Sequence, residues 1–212
     1  MQKPFILLLS LFMSQEMFSQ TFFEGDVIYK FDLQKKDSSF DETSVITYPA
    51  KTTISIYKNG DWLQKPDDGI IEYSYFNHSD NRLYWKIKNV DTVFYELGNN
   101  RRETEVDSTL ASKIEYNTDT ILGFPCNRLI IQTPKFKLTF IYTTTFEINP
   151  LWYKNTKIGY YDILYGLTKA IYLESIVETK YFISTMTAQN IHPRKISDRE
   201  FPDIRKAPLQ RL

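Results

Sequence analysis

Little in this chain suits metal, disulfide or nucleotide chemistry. Its 212 residues contain one cysteine, Cys126, so no intramolecular disulfide can form and stability must come from the core. The seven glycines stand isolated, no two within four residues of each other, which removes the glycine-rich loop that cradles a phosphate. The two histidines, His78 and His192, form no HxxxH or HExxH pair, so zinc lacks a ligand set with usable spacing, and both read as solvated loop residues. There is no GxSxG elbow, no SxxK and no Cys–His arrangement with local support. Charge is balanced, 26 Lys+Arg against 26 Asp+Glu, which excludes a basic nucleic-acid reader as a whole-chain class. No apolar run approaches the ~20 residues of a membrane-spanning helix.

What the chain does have is aromatic surface, with 15 Tyr and 15 Phe. It also opens with an export signature. Lys3 supplies a positive start, Phe5 to Met13 is an apolar run, and Phe18-Ser19-Gln20 offers a cleavage site before Thr21. No cysteine lies near that site, so a lipid anchor on a new N-terminal Cys is not expected. The reading is a signal peptide over 1–20, a single β-rich domain over 21–192, and an extended basic tail over 193–212. The location expected is the periplasm or the extracellular space.

Alternation with period two runs through the domain. Val27, Tyr29, Phe31 and Leu33 point one way. The pattern returns at Ile54 and Ile56, at Ile71, Tyr73 and Tyr75, at Leu83, Trp85 and Ile87, and at Val93, Tyr95 and Leu97. Further strands are expected at Leu129 and Ile131, from Phe136 to Tyr142, from Ile171 to Val177, and from Tyr181 to Thr185. Asn59-Gly60-Asp61, Asp67-Asp68-Gly69, Asn77 to Asn81 and Gly98-Asn99-Asn100 punctuate them, which indicates an antiparallel meander of the all-β class. Leu33 to Pro49 reads as a long polar loop. Helix signals are few: Asp107 as the cap of a short helix through Lys113, and Asn149-Pro150 as a helix start, with Gly159 keeping any helix there short.

Several strands carry aromatics on both faces, as at Tyr84 and Trp85 or Phe94 and Tyr95, where a sheet with one wet face would alternate more cleanly. The second face must pack against something or line a cavity. The carboxylate groups Asp67 and Asp68, Asp37 with Asp41 and Glu42, and Glu103 with Glu105 fall in turn-like stretches and read as solvated surface. Arg101-Arg102 and the tail residues Arg194, Lys195, Arg199, Arg205, Lys206 and Arg211 read as solubilising charge.

One stretch is more specific. Thr120-Ile121-Leu122-Gly123-Phe124-Pro125-Cys126-Asn127-Arg128 resembles the I-x-G-Y-x-C segment of the exported GLPGLI family and its LolA-like neighbours in Bacteroidota. Phe140-Ile141-Tyr142-Thr143 is similar to that family's WYT strand, and Ile148-Asn149-Pro150 to the I…GP that follows. Gly166-Leu167-Thr168-Lys169-Ala170-Ile171 resembles the naming segment, with Thr168 and Lys169 where Pro and Gly are expected. Phe23-Glu24-Gly25-Asp26-Val27-Ile28-Tyr29 is similar to the family's first strand. The resemblance implies a half-open antiparallel barrel, concave and apolar inside, with one or two short helices or loops plugging the mouth. It implies no catalytic residues.

The expectation is therefore an exported, non-catalytic, monomeric binding protein without cofactor or metal. It would hold an apolar small molecule, lipid or lipidated protein in a concave sheet. Tyr73, Tyr75, Trp85, Tyr95, Phe140 and Tyr142 are the expected cavity lining, and Cys126 a buried packing residue. The alternatives are a small outer-membrane β-barrel, which outward Lys86, Lys88, Lys135 and Lys137 disfavour, and a hydrolase built on two carboxylates.

Overall fold

A computed structural model describes residues 22–45, 50–100 and 111–212. The expected signal peptide, Arg101-Arg102, Glu103, Glu105 and Asp107 lie outside the described residues.

Most of the strands form where alternation and turn chemistry were expected to place them. The strands are β1 (Gly25–Lys35), β2 (Thr52–Lys58), β3 (Asp61–Pro66), β4 (Ile71–Asn77), β5 (Arg82–Ile87), β6 (Val93–Leu97), β7 (Ala111–Ile121), β8 (Phe124–Gln132), β9 (Phe136–Glu147), β10 (Ala170–Thr179), β11 (Phe182–Pro193) and β12 (Leu209–Arg211). All twelve belong to one sheet, in the order β12-β6-β5-β4-β3-β2-β1-β11-β10-β9-β8-β7. Every pairing is antiparallel except the short β12 on β6. The sheet has two ends and is not closed into a barrel. Asn59 and Gly60 both take positive φ, 48° and 88°, and so make the tight primed turn that joins β2 to β3.

Two expectations are corrected here. Ala111 to Lys113 are strand and not the end of a helix, because β7 pairs with β8 from Ala111↔Gln132 onward. The polar loop begins later than Leu33, since β1 continues to Lys35 in register with β11.

The one α-helix among the described residues, α1 (Tyr161–Thr168), sits between β9 and β10 behind two 3-10 turns. Asn149 caps the first of these, its side chain accepting from Leu151 N–H at 3.0 Å. Segment 149–168 packs on one face of the sheet and reaches strands far apart in it. Tyr153 stacks on Phe76 of β4 with centroids 5.5 Å apart, and Tyr160 meets Phe136 of β9 edge-on at 6.1 Å. On a flat sheet those strands, six positions apart in the order, would lie ~29 Å from each other. The sheet curves around this plug.

The inner face, with the plug, forms the main core, including Val27, Tyr29, Tyr57, Trp62, Phe76, Leu129, Ile131, Leu164, Tyr165 and Leu173. A second apolar layer lies on the outer face at Ile56, Leu63, Tyr75, Tyr84 and Val93, and the C-terminal segment covers it with Ile196, Phe201 and Ile204. The residues expected as an extended tail thus fold back as two 3-10 turns and a strand. Arg194 pairs with Asp26 and with Glu200, Lys195 pairs with Glu24, and Lys58 pairs with Asp198.

Candidate functional site

The six aromatics expected to line one cavity do not share a surface. Trp85, Phe140 and Tyr142 are buried in the inner core. Tyr75 is buried in the outer layer, against which Tyr73 and Tyr95 pack. Adjacent residues of a strand point to opposite faces, so odd and even aromatics on neighbouring strands part company wherever registers offset them.

A small, partly open cavity of about 50 Å³ does lie on the inner face, lined by Phe31, Ala50, Thr52, Thr53, Gln64, Pro66, Ile71, Ser74 and Met186. It is built by strand register. Thr53 faces Pro66, Gln64 faces Ser74, and Phe31 faces Met186. The apolar walls come from the alternating residues of β1, β4 and β11, and the polar groups come from β2, β3 and β4. Ser55, opposite Gln64, adds a fully buried hydroxyl whose oxygen has no hydrogen-bond partner. None of the nine lining residues is ionisable.

Beside the cavity stands a network of buried tyrosines. Tyr29 Oη donates to the carbonyl of Tyr172 at 2.8 Å and lies 3.5 Å from Tyr57 Oη. The Tyr172 ring packs beside that of Tyr29, with centroids 5.6 Å apart. Burial pushes the hydroxyls of Tyr29, Tyr57, Tyr153 and Tyr165 well above the ordinary tyrosine range, and that of Tyr172 up to about 12. All five stay protonated at any physiological pH.

A second concavity, an open cleft of about 880 Å³, lies on the outer face between β3, the β4–β5 turn and the C-terminal segment. His78 belongs to it. Its Nδ1 lies 2.9 Å from Asp61 Oδ1, and its backbone N–H donates to the same oxygen at 2.9 Å. Tyr75 Oη donates to Asp61 Oδ2 at 2.9 Å. His192 is similarly held, Nδ1 lying 3.0 Å from Asp26 Oδ2. Both histidines therefore have carboxylate partners that turn-based reading missed, since each Asp lies on a strand remote in sequence. No serine, threonine or cysteine side chain bonds the His78 ring among the described residues. Among those residues no group of three or more His, Cys, Asp or Glu could hold a metal ion. Cys126 is buried, its Sγ donating to the carbonyl of Phe124 at 3.2 Å, and burial raises its thiol pKa.

No helix among the described residues is long and apolar enough to cross a membrane. No family model matches the chain, and no curated protein matches it.

Proposed function

We propose that the chain is an exported, non-catalytic binding protein of LolA-like architecture, a half-open barrel that takes an apolar ligand at its inner face. The observation that carries the reading is the cavity walled by Phe31, Ala50, Ile71 and Met186, which has apolar sides and a few converging polar groups, as ligand sites do.

Connectivity supports the half-open barrel. β6 and β7 are consecutive in sequence yet stand near opposite ends of the sheet. A flat sheet would separate them by ~48 Å. The link from Leu97 to Ala111 reaches at most ~50 Å when fully extended. Curling brings its ends within easy reach. The left-handed φ of 52° at Lys169 supports the GLPGLI-like reading, because that is where the resemblance expects glycine. The free sheet ends argue against an outer-membrane barrel, which must close to satisfy its edges.

The cavity is far smaller than the several hundred Å³ of a site for a whole lipid chain. A ligand therefore widens it on entry, and Met186, unbranched and adaptable, is the wall suited to give way. Export and ligand binding are tested separately. N-terminal sequencing of the exported protein should start at or near Thr21, and recovery of an intact Met1 start outside the cytoplasm contradicts export by cleavage. Titration with the neutral dye N-phenyl-1-naphthylamine should give saturable fluorescence enhancement. Ala50→Phe, which fills the cavity, should remove it while the protein still melts cooperatively, and equal binding by that variant contradicts the site.

A further inference from the structure

The chemistry of the cavity wall restricts what it can take, and this step rests on the binding reading above. Its lining holds no lysine, arginine, histidine, aspartate or glutamate. A carboxylate or phosphate head group carried inside would lose its water without gaining a counter-charge, so it should bind far more weakly than a neutral group. A purely hydrocarbon ligand is also a poor match. Thr53 is 9% exposed and Ser74 half-buried, both line the cavity, and neither hydroxyl has a hydrogen-bond partner among the described residues. Ser55 Oγ behind them is unpartnered too. Gln64 completes the row, since Ser55, Gln64 and Ser74 are consecutive cross-strand partners on β2, β3 and β4.

We infer that the cavity selects a neutral amphiphile, an apolar chain ending in one hydroxyl or ester group, which hydrogen-bonds Thr53, Gln64 or Ser74 of the wall. A hydroxyl both donates and accepts, and the row offers hydroxyl oxygens and an amide that do both. Polar groups left unpaired by a ligand that lacks its own make a hydrogen-bonding site discriminate sharply.

The test compares three ligands of equal chain length, 1-decanol, decanoate and decane, as competitors of N-phenyl-1-naphthylamine at pH 8, where decanoate is ionised. Decanol should displace the dye at least tenfold more tightly than decanoate and severalfold more tightly than decane. The variant Ser74→Ala with Thr53→Val should lose the preference for decanol over decane and keep decane's affinity. Decanoate binding as tightly as decanol, or an undiminished decanol preference in the double variant, overturns the inference and leaves the binding reading standing. Failure of the dye and all three competitors to bind the wild type overturns the binding reading itself. Thermal melting of the double variant confirms that it is folded before its ligand profile is compared.

Discussion

The hydroxyl of Tyr29 on β1 crosses β11 to donate to the backbone carbonyl of Tyr172 on β10, at 2.8 Å. The reach is possible because the residue between them, in register with Tyr29, is the small Ala188. The bond is needed because β10 pairs with β11 only from Glu174 onward, which leaves Tyr172 outside that ladder. Tyr29→Phe should therefore cost about 1–3 kcal/mol, the range for a buried group left without its partner. Chemical denaturation measures it, and an unchanged midpoint would mean that water replaces the hydroxyl at no cost.

The same tyrosines set the alkaline limit of stability. Burial raises the folded pKa of Tyr29, Tyr57, Tyr153 and Tyr165 well above the unfolded value near 10. Below pH ~10 both states hold these protons, and the stability is fully present. Above it the unfolded chain releases them and the folded one does not, so stability falls as pH rises. Absorbance at 295 nm should show the buried tyrosinates appearing only together with the loss of tertiary structure. Their smooth titration in a folded protein would contradict the assignment.

Helix α1 is bracketed by two residues in the left-handed region, Tyr160 at φ 59° and Lys169 at φ 52°. Such a conformation costs a residue with a Cβ about 1 kcal/mol or more relative to glycine. Lys169→Gly should raise stability by about 1 kcal/mol, partly offset by the greater freedom of glycine in the unfolded chain. Ala170 and the plug packing are untouched by the change, so a lowered melting temperature would show that the lysine side chain contributes something its backbone strain conceals.

At the root of the C-terminal segment, hydrogen bonds from Arg194 hold Glu200 down to a pKa of about 2. A carboxyl depressed in this way adds stability above its unfolded value near 4.3, and the contribution is lost as pH falls toward the folded value. Arg194→Ala should loosen residues 194–212 and expose Ile56, Leu63 and Tyr84 beneath them. Hydrogen exchange should then rise in β2–β6 and in the segment, leaving β8–β10 protected. Uniform exchange across the sheet would contradict a separately anchored strap.

Alternation made much of the sheet legible, as in β1 and β2, although β9 buries both faces over 138–143 and β10 over 170–173. β3 escaped it. Trp62 and Leu63 are both buried, one under the plug and the other under the C-terminal segment, so two adjacent apolar residues break the alternation. β7 escaped for the opposite reason. As an edge strand it buries almost nothing, and Tyr116 on it is 71% exposed. The cavity was not legible at all. Thr53, Gln64 and Ser74 are ordinary strand residues until register sets Gln64 beside Ser74 and Thr53 one pair away, and aromatics drew attention because size is visible in sequence and register is not.

The central claim is that an apolar ligand enters between Phe31 and Met186, and a crystal structure grown with 1-decanol addresses it most directly. The account predicts density for the alcohol against Phe31, Ile71 and Met186, with its oxygen within hydrogen-bonding distance of Thr53, Gln64 or Ser74 and the Met186 side chain moved outward. An unaltered, empty cavity in crystals that hold decanol only in the outer cleft beside His78, or nowhere, would contradict it.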